Sequence, residues 1–199
     1  RRCFEKYEKG WVQAGELSVG DVLVYPRFTN VVDREEILLS EYGVAVSNGK
    51  IVKTASRSRD LDDAVRISED FCRLAGYFIA EGSVIDDAII FSFGLKEEEY
   101  AADVSRLFES VFRVSSAKLK RRPDKGGLEV VVFAKPLCQL FASLFFAEGR
   151  TKSAGSKALP SWMLLLPVRK QKEIIRGWWR GDRGYTSSGM LAMQMQILL

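Results

Sequence analysis

The chain contains no histidine. That absence removes Ser-His and Cys-His triads, His-ligated zinc, and imidazole as a general base. Catalysis here would have to use carboxylates, lysine, tyrosine or metal-bound water. Cysteine is scarce too. Cys3, Cys72 and Cys138 stand far apart and are odd in number, so they offer neither a disulfide framework nor a metal-ligand spacing. A reducing cytoplasm is the compartment this usage predicts. No apolar run approaches the ~18 residues of a membrane span. The opening Arg1-Arg2 leads into a charged stretch rather than a signal peptide.

What is present is ordinary in bulk and uneven in detail. The 199 residues are 47% hydrophobic and 28% charged, enough for one large or two small globular domains. The net charge of +4 conceals a gradient. Residues 1–70 balance to −2, residues 71–149 to −1, and residues 150–199, with nine basic and two acidic side chains, to +7. Such an excess is the electrostatic footprint a polyanion-binding surface needs, and a solvated basic face produces the same pattern.

Two stretches about a hundred residues apart end alike. One is Leu74-Ala75-Gly76-Tyr77-Phe78-Ile79-Ala80-Glu81-Gly82; the other is Ile175-Arg176-Gly177-Trp178-Trp179-Arg180-Gly181-Asp182-Arg183-Gly184. In each, a Gly is followed four residues later by a small residue and then at once by a carboxylate. Residues i and i+4 share a helix face, so Gly76 with Ala80 and Gly177 with Gly181 would give two helices bare stripes. Gly inside a helix is unfavourable by about 0.8–1 kcal/mol against Ala, which points to close packing as its reason. If the helices cross there, Glu81 and Asp182 meet at one end. That end carries the negative pole of both helix dipoles, so two acids there call for a cation. Divalent metal ions assisting phosphodiester cleavage meet that need. Taken singly, either acid also reads as a solvated helix-end carboxylate.

The two stretches resemble the LAGLIDADG motifs of homing endonucleases, in the double-motif form found inside inteins. The first departs by Glu81 at the acid. The second has Ile175 and Arg176 at its first places, Arg180 where an acid is common, and Arg183 where the closing Gly is expected. The resemblance implies an α+β fold of αββαββα repeats, Mg2+ held by Glu81 and Asp182, and hydrolysis of double-stranded DNA at a long asymmetric site. It also implies a monomer with pseudo-twofold repeats when complete. Lys157 in Ser156-Lys157-Ala158-Leu159-Pro160 resembles the Lys block before the second motif, where the lysine approaches the active site. A loop lysine on the surface reads the same way, and Lys152 competes for the role.

Local patterns agree with one such repeat. Ser68 is a helix N-cap before Glu69 and Asp70, predicting a helix to about Ala80. Strands follow at 84–85 and 88–93, a helix at 96–112, strands at 117–121 and 128–133, and a helix at 137–146. Residues 149–161 read as a polar loop, 168–181 as the second motif helix, and 190–199 as the start of a strand, so the second repeat is expected only in its first third. Domain bounds are expected at 1–65, 66–149 and 150–199. Arg113, Lys118, Lys120, Arg121, Arg122 and Lys125 gather on the second hairpin. In the resembled family such a sheet lies in a DNA major groove, which makes Lys118, Lys120, Arg121, Arg122 and Lys125 the DNA-contact candidates. A charged hairpin edge that blocks strand aggregation is the competing explanation.

Residues 1–65 are expected to be β-rich, with a type I′ hairpin around Asn48-Gly49 and a charged linker at 56–63. Residues 11–26 resemble the intein segment after the N-terminal splicing block, a remnant of the splicing domain. Yet Cys3 lacks the nucleophile context, and the Thr-x-x-His block and terminal His-Asn are absent, so the chain as it stands is not expected to splice. Two other readings stay open: a non-cleaving nucleic-acid-binding module, either a regulator or a maturase, and an inactive intein remnant or splicing scaffold.

Overall fold

The computed structural model describes residues 10, 12–22, 28–51, 61–114, 118–122 and 126–199. Cys3, Trp11, Lys125, most of the strand expected at 22–25 and most of the 56–63 linker lie outside the described residues. The fold is α+β.

Helix α1 (Glu69–Glu81) is the centre of the molecule. Ser68 caps it, its hydroxyl accepting the Phe71 N–H at 3.1 Å, and Glu69 and Asp70 occupy the first turn. From Phe71 to Ile79 only Arg73 escapes burial. A helix apolar nearly all round needs neighbours on every side. Sheet strands β5 (Gly82–Ile85), β6 (Ala88–Gly94), β7 (Lys118–Arg122) and β8 (Gly127–Phe133) supply one, in the antiparallel order β5-β6-β8-β7. Alternation sends Ile89, Phe91, Phe93, Leu128, Val130 and Val132 inward. Helices α2 (Glu98–Phe112) and α3 (Lys135–Leu144) close over the same inner face. Phe78 sits at the meeting point, edge-on to Phe141 at 4.9 Å and Phe91 at 6.0 Å. Buried edge-to-face pairs add about 0.5–1.5 kcal/mol each beyond the area they bury.

The α1-β5-β6-α2-β7-β8-α3 order matches the repeat expected over residues 66–149. Upstream, β1 (Glu36–Leu38) pairs with β4 (Ala64–Arg66), and β2 (Val46–Ser47) pairs with β3 (Lys50–Ile51) across Asn48 and Gly49, both at positive φ. Two positive φ values fit the type I′ turn the sequence suggested.

Helix α4 (Val168–Asp182) packs along α1, and α5 (Gly189–Leu198) follows it. The strand expected from residue 190 is therefore a helix. Ser188 caps it by accepting the Leu191 N–H at 3.2 Å, and Leu191, Met195 and Leu198 are buried at helical spacing. The alternation Met193-Gln194-Met195-Gln196-Ile197 suggests a strand, but unbranched Met, Leu and Gln favour helix once a cap and an i, i+4, i+7 apolar face are present.

Candidate active site

The contact between α1 and α4 is backbone on backbone. A Cβ on Gly76 would lie 2.9 Å from both Gly177 Cα and Trp178 N, and closer still to the Ile174 carbonyl. One on Gly177 would lie 2.7 Å from Tyr77 N and press into the Arg73 carbonyl. One on Gly181 would lie 2.5 Å from Ala80 Cβ and 2.9 Å from Glu81 Cγ. No side chain fits between the helices at these points. Polar ties fix their rotation: Arg73 Nε donates to Glu173 at 2.6 Å, and Arg180 donates to both Asp103 and the Tyr77 hydroxyl at 3.1 Å.

Both helices run one residue past their expected ends, so Glu81 and Asp182 are each the last residue of a helix. They share the same end of the pair. Burial, then Asp182, then Glu97 pushes the Glu81 carboxyl up to about 7, with Lys157 pulling the other way. Burial also raises Asp182, against the pull of Lys157. Two half-buried acids at the negative poles of two helices disfavour carrying two charges.

Lys157 is neither a surface residue nor replaceable by Lys152, which is exposed. It is 6% exposed, and its ammonium donates at 3.0 Å to the carbonyls of Phe78 and Ala80, the open end of α1. Burial lowers its pKa to about 8, while Asp182 and Glu81 oppose the fall. The segment carrying it is laced down: Ala147 N–H donates to Ser156 O, Ala158 N–H to Phe145 O, and the Ser188 hydroxyl to Lys157 O at 2.6 Å. Gln194 on α5 adds two bonds to Leu159. Ser188 and Gln194 had no functional signal in the sequence, because their partners are more than thirty residues away. Glu97 was missed as well. It acts on Glu81 from the start of α2, where its carboxylate accepts the Gly94 N–H at 2.8 Å.

Among the described residues no group of three or more acids, cysteines or histidines is disposed to hold a metal. The pair Glu81 and Asp182 still fits Mg2+, which binds through one or two carboxylates and completes its shell with water and substrate phosphate.

The basic cluster is divided. Period-two alternation puts Lys120 and Arg122 on the outer sheet face; the Lys118 side chain lies outside the described residues. Lys120 is exposed, with its ammonium 5.8 Å over the Phe133 ring. Arg122 bonds Glu129 at 3.0 Å, so its charge is partly spent. Arg121 faces the other way and pairs with Glu98 of α2 at 2.7 Å. The excess charge of residues 150–199 is balanced in part by acids from elsewhere: Arg169 and Lys170 meet Asp33, and Arg180 meets Asp103.

No helix among the described residues is long and apolar enough to cross a membrane. The chain matches no family model. It is 36% identical over 198 residues to an uncharacterized protein of Methanocaldococcus jannaschii, a match covering all of this chain and 24% of that protein. An iron-sulfur cluster assembly SufBD family protein of Mycobacterium tuberculosis is 26% identical over 208 residues, covering 96% of this chain and 20% of that protein. The DNA polymerase II large subunit of Thermococcus kodakarensis is 28% identical over 127 residues, covering 60% of this chain and 7% of that subunit. The chain thus spans about a quarter or less of the length of the relatives it matches.

Proposed function

We propose that this chain is part of an intein-type LAGLIDADG endonuclease that hydrolyses phosphodiester bonds in duplex DNA with Mg2+. The observation that carries the reading is the glycine-lined crossing of α1 and α4, which delivers Glu81 and Asp182 together at one helix-pair end. The relatives fit it too. Similar stretches occupy small parts of proteins whose names share no function, as an element inserted into unrelated hosts would.

A bound divalent cation would supply Lewis acidity at the phosphoryl oxygen and acidify its water. Glu81 and Asp182 would hold it and orient the attacking water, one carboxylate per strand. Lys157 has three N–H groups. Two go to the Phe78 and Ala80 carbonyls, and the third has no partner among the described residues. It would stabilise charge developing on the phosphate. Lys120, on the outer sheet face, would meet the duplex with Lys118.

Nicking of supercoiled plasmid in Mg2+ tests the proposal. The chain should nick, and Glu81→Gln and Asp182→Asn should each stop nicking while leaving DNA binding nearly intact. Metal-dependent nicking by the double variant would overturn it.

A second reading, DNA binding without cleavage, is favoured by one feature. Residues 82–97 after α1 hold the β5–β6 hairpin, whereas residues 183–188 after α4 hold no strand before α5 begins. Asp182 therefore lacks the hairpin that follows Glu81. Salt-dependent duplex binding with no Mg2+-dependent nicking would select this reading.

A further inference from the structure

A cleft of about 440 Å3 opens between the turn that ends β6 and the residue that follows Asp182. Lys96, Glu97, Glu99 and Tyr100 line one side and Arg183 the other. The cleft adjoins both acids, since Arg183 is bonded to Asp182 in the chain and Glu97 acts on Glu81.

Arg183 stands where a side chain is uncommon, as Arg113 does at the end of α2 with φ 54°. It ends α4 in the left-handed region, at φ 49°, where a Cβ is strained and glycine is the default. The motif this stretch resembles has glycine there. The negative pole of α4 favours a cation there and offsets part of that strain. The other arginines of α4 are engaged: Arg169 with Asp33, Arg176 with Glu173, Arg180 with Asp103. Neither Arg183 nor Lys96 has an ion-pair partner among the described residues. Glu97 forms no ion pair with either, though the single bond it accepts from the Gly94 N–H leaves its negative charge in the cleft.

We propose that Arg183, with Lys96 opposite, grips a backbone phosphate of the DNA strand next to the one presented to Glu81 and Asp182. The inference rests on the duplex-DNA reading above and adds a contact on the α4 side, where no hairpin supplies one. A guanidinium matches two phosphate oxygens at once, which a lysine ammonium does not.

Arg183→Gly in this chain separates the possibilities, because two readouts should move in opposite directions. The urea midpoint should rise as strain is released. Affinity for a mixed-sequence duplex should fall about tenfold, with the log–log salt slope shallower by about 0.9, the loss of one phosphate contact. Arg183→Lys should keep the slope and recover part of the affinity. If the unsubstituted chain binds duplex and Arg183→Gly binds it with the same affinity and slope, the phosphate grip is refuted and the DNA reading stands. If the unsubstituted chain fails to bind duplex at low salt, both fall.

Discussion

Replacing Gly177 by alanine sets two effects against each other. Alanine is the better helix former, by about 0.8–1 kcal/mol in a helix interior. At Gly177, however, the new methyl would lie 2.7 Å from Tyr77 N and 2.9 Å from Gly76 C, and nearer yet to the Arg73 carbonyl. All three are main-chain atoms of a buried helix, so none can rotate aside. The helices must part by more than half an ångström to restore ordinary contact, and the ties of Arg73 to Glu173 and Arg180 to Asp103 loosen with them. Overpacking of this kind costs about 1–3 kcal/mol, and rigid backbone on both sides puts it at the upper end. The net expectation is a loss of about 1–2 kcal/mol despite the better helix former. Gly189 on α5 is the matched control, since a Cβ there meets nothing within 4 Å. Urea unfolding of Gly177→Ala, Gly189→Ala and the parent gives the comparison. Equal or greater stability in Gly177→Ala would refute backbone contact as the reason for the glycine, and with it the placement of the acids.

Four further outcomes are expected. Glu81 titrates near 7 in the folded chain against about 4.5 for an ordinary glutamate, so stability at this site is intact below about 4.5 and is lost as pH rises through about 7. Allowing for its partial exposure, metal-free Glu81→Gln should be about 1–2 kcal/mol more stable than the parent at pH 8, a gap that urea midpoints should show closing by pH 5. Lys157→Ala leaves two helix-end carbonyls without their donor and should lower stability by about 1–3 kcal/mol while slowing single-turnover cleavage. Ser188→Ala removes both the α5 cap and the bond to Lys157 O, at about 1–2 kcal/mol by thermal melting. In duplex binding, Lys118→Ala with Lys120→Ala should flatten the salt slope by about 0.9 per lost contact, whereas Arg121→Ala should leave it unchanged.

Local chemistry made much of the fold legible. Ser68-Glu69-Asp70 marked the start of α1, alternation over residues 88–93 and 128–133 marked the central strands, and the Gly four residues before a small residue marked the helix crossing. Those signals depend on neighbours a few residues apart. The rest depended on tertiary partners. Arg121 and Lys120 look alike in a basic run, but strand alternation turns one toward Glu98 and the other outward. Residues 190–199 carry a strand-like alternation that Ser188 and the pocket filled by Leu191 and Met195 override. At the candidate site, the spacing of Gly and carboxylate pointed to the two acids, and Lys157 came from the resemblance of its block alone. Glu97 and Ser188 were not legible, since their contacts are with residues distant in the chain.

The central claim is that the end of the α1–α4 pair holds a divalent cation between Glu81 and Asp182. Electron paramagnetic resonance of Mn2+, titrated as a reporter for Mg2+ into the chain with duplex DNA present, reads it directly. The account predicts Mn2+ bound by the parent chain, retained in Lys120→Ala, and lost in the Glu81→Gln, Asp182→Asn double variant while its circular dichroism stays native. Undiminished Mn2+ binding by that folded double variant would contradict the account.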